Sequence, residues 1–569
     1  MIHTLRVATL KGQYSRDEDI TVRISTEQIY EPGDMKLELE VLTPDMSLLK
    51  EDSQLSSGFP LEIAITLPED SYPGGWRGFS LVCRLYKDKE LVAEGNTAFD
   101  LKDPEQRVIR YGFLSDFRTE DRQKMEASLD FLAEFHMTHV QYYDWTYRHH
   151  EYNGDTDVFF DTMGKEIDLT LVKDEIEGCS ERGMFSLGYG AVYAAGEEYL
   201  HLNPSQALRD CEGIPYNLID RFYIMDISPG SRWRECLMKQ YLYAVKTVGF
   251  DGIHMDTYGF PKKAFVQNES EIHGVTLEND FPDLIEETRN TLGDQAQLIF
   301  NNVGNWPVSA TGPAPQDAVY IEVWDPYDSY SHIRQIILSA SEYGKPVILA
   351  AYLAPFRLEE NHGGMRALYS ALILQSIIVS LSASHLLLGE GGNALTQGYY
   401  NDYSPLRDDE RSLLKTYYDF QVRCTDFFYN SDLVEISETH TAGENREYFF
   451  SGASVSADGR PGTVWTIVRE SPGMKLISLI NLCGQTDSIW NKGKEAPVNV
   501  ENFTMQIPMD GVVDSIFYTS PELNSQTAEI LPINKIRNER GPAVQVELKN
   551  LPLWSIVVVK QALEKNSHL

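Results

Sequence analysis

The sequence is poor in positive charge: 49 Lys and Arg stand against 85 Asp and Glu, a formal net charge of −36. Such a field repels phosphate backbones and anionic membrane surfaces, so neither nucleic acid nor a membrane is expected as a partner. No apolar run approaches the ~18 residues that would span a bilayer. Cysteine is sparse, with six residues (Cys83, Cys179, Cys211, Cys236, Cys424 and Cys483) and no CxxC pair. The spacing suits no zinc site, and the thiols are read as free and buried. The opening MIHTLRVATLKGQYSRDEDI lacks the apolar core and small-residue cleavage site of a secretory leader. The expected location is the cytoplasm, or outside the cell for a chain already trimmed to its mature start. His149, His150 and Glu151 lack HExxH spacing, and GEGGN at 389–393 lacks the Lys-Ser/Thr pair that grips phosphate and Mg2+. No metal and no cofactor is expected, and the oligomeric state is not legible.

What is present is a long globular chain. At 569 residues it exceeds what one hydrophobic core organises, and three or so domains are expected. The 31 Tyr and 8 Trp supply flat faces on which sugar rings stack, although most are expected to be ordinary packing.

Three regions follow from periodicity. Residues 1–108 carry short alternating runs, TVRIST, KLELEVL and LEIAITL, broken by Pro, Gly and Asp turns, the pattern of an antiparallel β-sandwich. From about Arg110 apolar runs alternate with helix-length amphipathic stretches, as in βα units around a parallel sheet. Candidate strands are 111–117, 139–145, 184–190, 251–256, 297–302, 318–324, 346–352 and 384–390. Eight strands suit a (β/α)8 barrel over residues 109–425 better than an open doubly wound sheet. Candidate helices include 232–248 and 407–423. Alternation returns in KLISLINL and WSIVVVK, giving a second β-domain over 426–569.

In such a barrel the reacting groups sit at the C-terminal ends of strands. Asp256 ends FDGIHMD and Glu322 lies near the end of YIEVW, both interrupting apolar strand sequence. A lone strand-end acid is often a salt bridge or loop cap. Two of them on strands four and six, with aromatic flanks, point to the carboxylate pair of a glycoside hydrolase. Glu322, between Tyr320, Val323 and Trp324, is expected in the more apolar niche and so as the acid/base. Asp256 is expected as the nucleophile, held ionised by Arg148 or His254. Asn301-Asn302 ends strand five and offers amides to sugar hydroxyls, with Asn302 taken into the site. Trp145, Trp306, Trp324, Tyr258 and Tyr399 fall in strand ends or loops as candidate sugar platforms. Tyr189 on strand three and Glu390 ending strand eight complete the expected lining.

FDGIHMDTYG, YIEVWD, VQYYDWTYRHH and HLLLGE resemble the corresponding blocks of glycoside hydrolase family 66, the dextranases and cycloisomaltooligosaccharide glucanotransferases. The resemblance covers most of residues 108–430 and, loosely, the flanking β-regions. It implies an immunoglobulin-like N-terminal β-domain, a barrel and a C-terminal β-sandwich, and retaining, endo-acting cleavage of α-1,6-glucan or isomalto-oligosaccharides. Asp256 matches the family nucleophile and Glu322 its acid/base. Tyr143, Asp144, Arg148 and His149 match the block lining the sugar subsite beside the cleaved bond, and Asp226 is placed near the same pocket. The spacing between candidate strands leaves no room for the domain-sized insertion of the cyclising members, which favours a hydrolase over a cyclase or transglycosylase. A non-catalytic α-glucan-binding protein is the other reading, and the strand-end acid pair speaks against it.

Overall fold

The computed structural model describes residues 2–562 apart from 31–34, 45, 56, 68–75, 103–104, 106, 268–271, 358–363, 398–402 and 524–525. Tyr399, one of the expected sugar platforms, lies outside the described residues. The protein is a curled parallel α/β sheet flanked at both chain ends by mainly antiparallel β sheets.

The alternating runs of the N-terminal region become strands because one face of each is apolar. In Ile20–Ser25 the buried residues are Ile20, Val22 and Ile24, the period of two that a pleated strand imposes. A five-stranded and a three-stranded sheet enclose a core that includes Val22, Leu39, Phe79 and Leu81. In the C-terminal region Met474–Asn481 pairs antiparallel with Trp554–Ala562, and Val500–Pro508 with Gly541–Leu551.

Between these regions eight parallel strands follow one another around the sheet in chain order. They are β1 Tyr111–Leu114, β2 His139–Tyr142, β3 Phe185–Ala191, β4 Gly252–Asp256, β5 Gln297–Val303, β6 Ala318–Glu322, β7 Val347–Ala350 and β8 Ala383–His385. Each overlaps a run picked out by periodicity; β3, β5 and β8 extend one residue beyond it, and several end earlier than the apolar pattern does. β8 pairs with β7. Three residues later the chain resumes strand geometry at Leu388–Gly389 and pairs with β1 at Phe113, so the sheet curls back towards its first strand.

Alternation assigns the two faces. Tyr111, Phe113, Leu187, Ile299, Tyr320 and Ile348 point inward as one cluster. Residues of the opposite parity, such as Val140, Ile253, Leu298 and Phe300, pack against the helices. Two of those helices begin where a side chain satisfies free N–H groups: Asp168 accepts from Thr170 and Leu171 at 3.0 and 3.2 Å, and Ser231 caps Arg232–Tyr243. The expected helix 232–248 is α-helical only to Tyr243 and closes as a π turn over Ala244–Val248. Among the described residues no helix is long and apolar enough to cross a membrane.

The regions are bonded to one another. Arg110, just ahead of β1, forms a buried two-pronged ion pair with Asp100 of the N-terminal sheet, both contacts 2.8 Å. Arg77 pairs with Asp426, and the Trp554 indole N–H donates to Ser380 at 3.0 Å.

Candidate active site

At the C-terminal ends of the strands lies a cavity of about 350 Å³. β4 and β6 deliver two of its acids, Asp256 and Glu322. His254 and Asp256 share the inward face of β4, as Tyr320 and Glu322 share that of β6. β5 lies between the two, and the inward residue at its end is Asn301. The Asn301 amide nitrogen donates 2.6 Å to Asp256 Oδ1 and 3.2 Å to Glu322 Oε2. Those oxygens can be no farther apart than the two distances laid end to end, which falls below the ~6.5 Å at which inverting carboxylate pairs begin.

The donors are not shared equally. Asp256 Oδ2 also receives the Tyr189 hydroxyl of β3 at 2.8 Å, so both of its oxygens are occupied by neutral donors. Burial raises its pKa to about 6, against the pull of Asn301 and Tyr189, and the like charge of Asp144 adds to the rise. Glu322 is pushed higher, to about 7, by burial first and by the charge of Asp256 second, while Asn301, Trp324 and Tyr352 act on it as donors in the opposite sense. The pair therefore shares one proton, and Glu322, raised further by the charge of Asp256, is the member on which that proton rests more readily.

The rest of the lining comes from loops. Asp144, two residues past β2, takes a left-handed backbone (φ 47°) that turns the chain out of the strand. His149 Nε2 lies 3.0 Å from Asp144 Oδ1, and its ring stacks on Phe222 at 4.8 Å. Tyr143 packs edge-on against Tyr189 at 4.9 Å. Deeper in, His254 Nδ1 bonds to the Tyr111 hydroxyl at 3.0 Å, and burial pushes its pKa down to about 3, so it is a neutral imidazole. Among the described residues no group of three His, Cys, Asp or Glu is arranged to hold a metal ion.

Of the residues singled out in the sequence, the fold brings Tyr143, Asp144, His149, Tyr189, His254, Asp256, Tyr258, Glu322 and Trp324 into this one cavity. Six others it directs elsewhere. Trp145 is fully buried, donates to the Tyr189 carbonyl at 3.3 Å and packs on Phe250; it is core, not a sugar platform. Arg148 pairs with Glu198 at 2.8 Å, so the donors to Asp256 are Tyr189 and Asn301 rather than Arg148 or His254. Asp226 turns back onto Ser228, accepting its N–H at 2.9 Å and its hydroxyl at 2.6 Å. Asn302 is one residue out of phase: on the outer face of β5 it donates to the Phe300 and Tyr320 carbonyls and accepts from Thr311. Glu390 sits behind the pocket wall, receiving the Ser115 N–H and the Tyr403 hydroxyl, with its pKa raised by burial to about 7. Trp306 also lies outside the cavity, its ring covered by Lys262 at 3.5 Å.

Of the asparagine pair it is Asn301 that enters the cavity, joined by Tyr352, for which the sequence offers no motif; period-two parity with Ile299 and Ile348 marks both as inward. The apolar wall of Leu218, Ile219 and Phe222 carries no motif that would have revealed it.

A family model, glycosyl hydrolase family 66, matches residues 9–558. A cycloisomaltooligosaccharide glucanotransferase of Niallia circulans is 20% identical over 710 residues, covering 98% of this chain and 72% of that protein. A dextranase of Streptococcus salivarius is 19% identical over 561 residues, covering 84% of this chain and 66% of its own length. The crystal structure of a Paenibacillus sp. cycloisomaltooligosaccharide glucanotransferase complexed with cycloisomaltoheptaose matches with a TM-score of 0.83 at 18% identity, over 97% of this chain and 99% of the other. The α-amylase of Geobacillus thermoleovorans, complexed with acarbose, matches at 0.52 and 10% identity, over 82% and 100%. At such identities the likeness to these structures is one of fold.

Proposed function

This chain belongs to glycosyl hydrolase family 66, and from that premise we propose that it is a retaining, endo-acting hydrolase of α-1,6-glucosidic bonds in dextran and isomalto-oligosaccharides. The observation that carries the reading is the single amide of Asn301 spanning Asp256 and Glu322, a separation suited to a nucleophile and its acid/base. The curled sheet is read as a (β/α)8 barrel, because the continuation of β8 reaches β1, and the N-terminal region as an immunoglobulin-like sandwich.

Asp256 attacks the anomeric carbon as Glu322 gives its proton to the departing glycosidic oxygen, leaving a glycosyl ester on Asp256 and a free sugar hydroxyl. Glu322, now a carboxylate, takes a proton from water, which attacks the same carbon and releases Asp256 and a sugar of retained configuration. Asp144 and His149, bonded to each other beside Asp256, are placed to hold hydroxyls of the sugar at the cleaved bond, and Trp324 to stack on the sugar that leaves. The pair titrates together. Activity falls as pH drops through about 6, where Asp256 is protonated, and again as pH rises through about 7, where Glu322 has lost the proton it must donate.

The second reading is transglycosylation, in which a glucan hydroxyl replaces water, the activity named for the Niallia relative. The 710-residue span of that match exceeds the 569 residues here, so the relative carries segments without a counterpart in this chain, which favours hydrolysis. The purified protein and its Asp256→Asn variant, incubated with dextran and with starch, test both. Isomalto-oligosaccharides from dextran alone, absent with the variant, are expected. Cyclic or elongated products would transfer the assignment to a transglycosylase, and activity on starch would overturn the linkage.

A further inference from the structure

Glu322 depends on loops that the barrel alone does not hold. Trp324 and Tyr352, which line the same cavity as Glu322, stand just past the ends of β6 and β7, on the loops that follow those strands, and their rings pack together 6.0 Å apart. Trp324 is 36% exposed, so its neighbours bury too little of it to fix its position. By contrast, the donors to Asp256 belong to β3 and β5 themselves, whose ladders of backbone bonds keep them in register.

Residues 487–494 of the C-terminal region reach across to those two loops. The Trp490 indole N–H donates to the Tyr327 carbonyl at 2.6 Å and its backbone N–H to the Asp328 carbonyl at 3.1 Å. The Ser488 carbonyl accepts the Tyr330 N–H at 2.9 Å, one of the free donors at the start of a helix. On the neighbouring loop the Asn491 side-chain oxygen accepts the Ala354 N–H at 2.8 Å. The segment is itself braced, Asp487 binding Lys494 at 2.5 Å and Lys492 at 2.9 Å, and Trp490 is almost wholly buried. Its hydrogen bonds to the barrel, among the described residues, fall on these two loops and on Arg366 at the start of the next helix.

We propose that residues 487–494 are the support of the acid side of the catalytic pair: by pinning the loops after β6 and β7 they hold Trp324 and Tyr352, and through them Glu322, in position for proton transfer. Trp490 and Asn491 are thus positioning residues on a different region of the chain from the chemistry. The inference rests on the reading of Glu322 as acid/base given above.

The consequence is a selective defect. Fluoride departs from a glycosyl fluoride without needing a proton, and azide attacks the glycosyl-aspartate without needing a base. Turnover of α-isomaltosyl fluoride in the presence of azide therefore needs Asp256 but not a well-placed Glu322. Trp490→Phe and Asn491→Ala should lower kcat on dextran about tenfold to a hundredfold, the scale of an ångström-level misplacement. Both variants should keep wild-type turnover of the fluoride with azide, which also shows that they are folded. The alkaline limb of the dextran pH profile should move and the acid limb stay. Equal losses on both substrates, or no loss on dextran, would overturn the proposal, and the milder Asn491→Ala decides if Trp490→Phe unfolds. Glu322→Ala run alongside separates the two levels. If it loses dextran activity selectively and the support variants do not, the support is refuted alone. If it shows no such selectivity, the acid/base assignment fails and the support with it.

Discussion

A neutral hydroxyl and a neutral amide decide which carboxylate carries the charge. Tyr189 donates to Asp256 at 2.8 Å, and a donor to the charged form holds a pKa down. In Tyr189→Phe the pKa of Asp256 rises, so the acid limb of kcat/KM should shift to higher pH. Losing about 1.5–3 kcal/mol of charge-assisted hydrogen bonding corresponds to a fall of roughly tenfold to a hundredfold. The adjacent asparagines separate function from stability. Asn301→Ala should cost at least about tenfold in kcat with little change in unfolding temperature, because its amide serves the acids. Asn302→Ala removes the side chain that accepts from the Thr311 hydroxyl and donates to two carbonyls, three buried hydrogen bonds, so it should cost about 1–3 kcal/mol in denaturant unfolding while leaving turnover per folded molecule intact. The opposite ranking would mean that the face assignment of β5 is wrong.

Among the elements, the small hairpin at 217–224 is built against the usual turn chemistry. Asn217 and Leu218 pair with Tyr223 and Phe222, and the turn places Ile219 and Asp220 at φ 53° and 55°. Asn or Gly ordinarily fills such positions, and a β-branched residue there is strained. Ile219 remains 57% exposed and lines the pocket, so no burial offsets that strain, as is common where function fixes the backbone. Ile219→Gly should raise stability by about 1–2 kcal/mol, the left-handed penalty relieved, and should raise KM for dextran because part of the apolar wall is gone. A lower KM or an unchanged unfolding midpoint would show that the turn neither stores strain nor touches substrate. This wall was invisible in the sequence because Leu-Ile-Asp-Arg has no turn signature. The strands were visible because a period of two is a local property: Val-Ile-Leu-Ala and Ala-Val-Tyr-Ile-Glu announce themselves without knowledge of their neighbours.

Over the whole molecule, the buried ion pair of Arg110 and Asp100 fastens the N-terminal sheet to the curled parallel sheet. Removing one partner leaves a buried charge without a counterion, which costs about 3–5 kcal/mol. Asp100→Ala should therefore shift the denaturant midpoint of the α/β region as well as of the N-terminal sheet, in one transition. Two separated transitions in the unaltered protein would show that the regions fold independently. The sequence by itself determined the three β, α/β and β regions, the eight strands and the two strand-end acids, since alternation and strand termination are written in neighbouring residues. Only the tertiary structure decided that one amide on β5 spans both acids, that Tyr189 rather than Arg148 serves Asp256, and that Trp490 reaches the loop beyond Glu322. Each of those contacts joins residues distant in the chain, and its existence depends on how the sheet curls and which strands become neighbours, which no local pattern encodes.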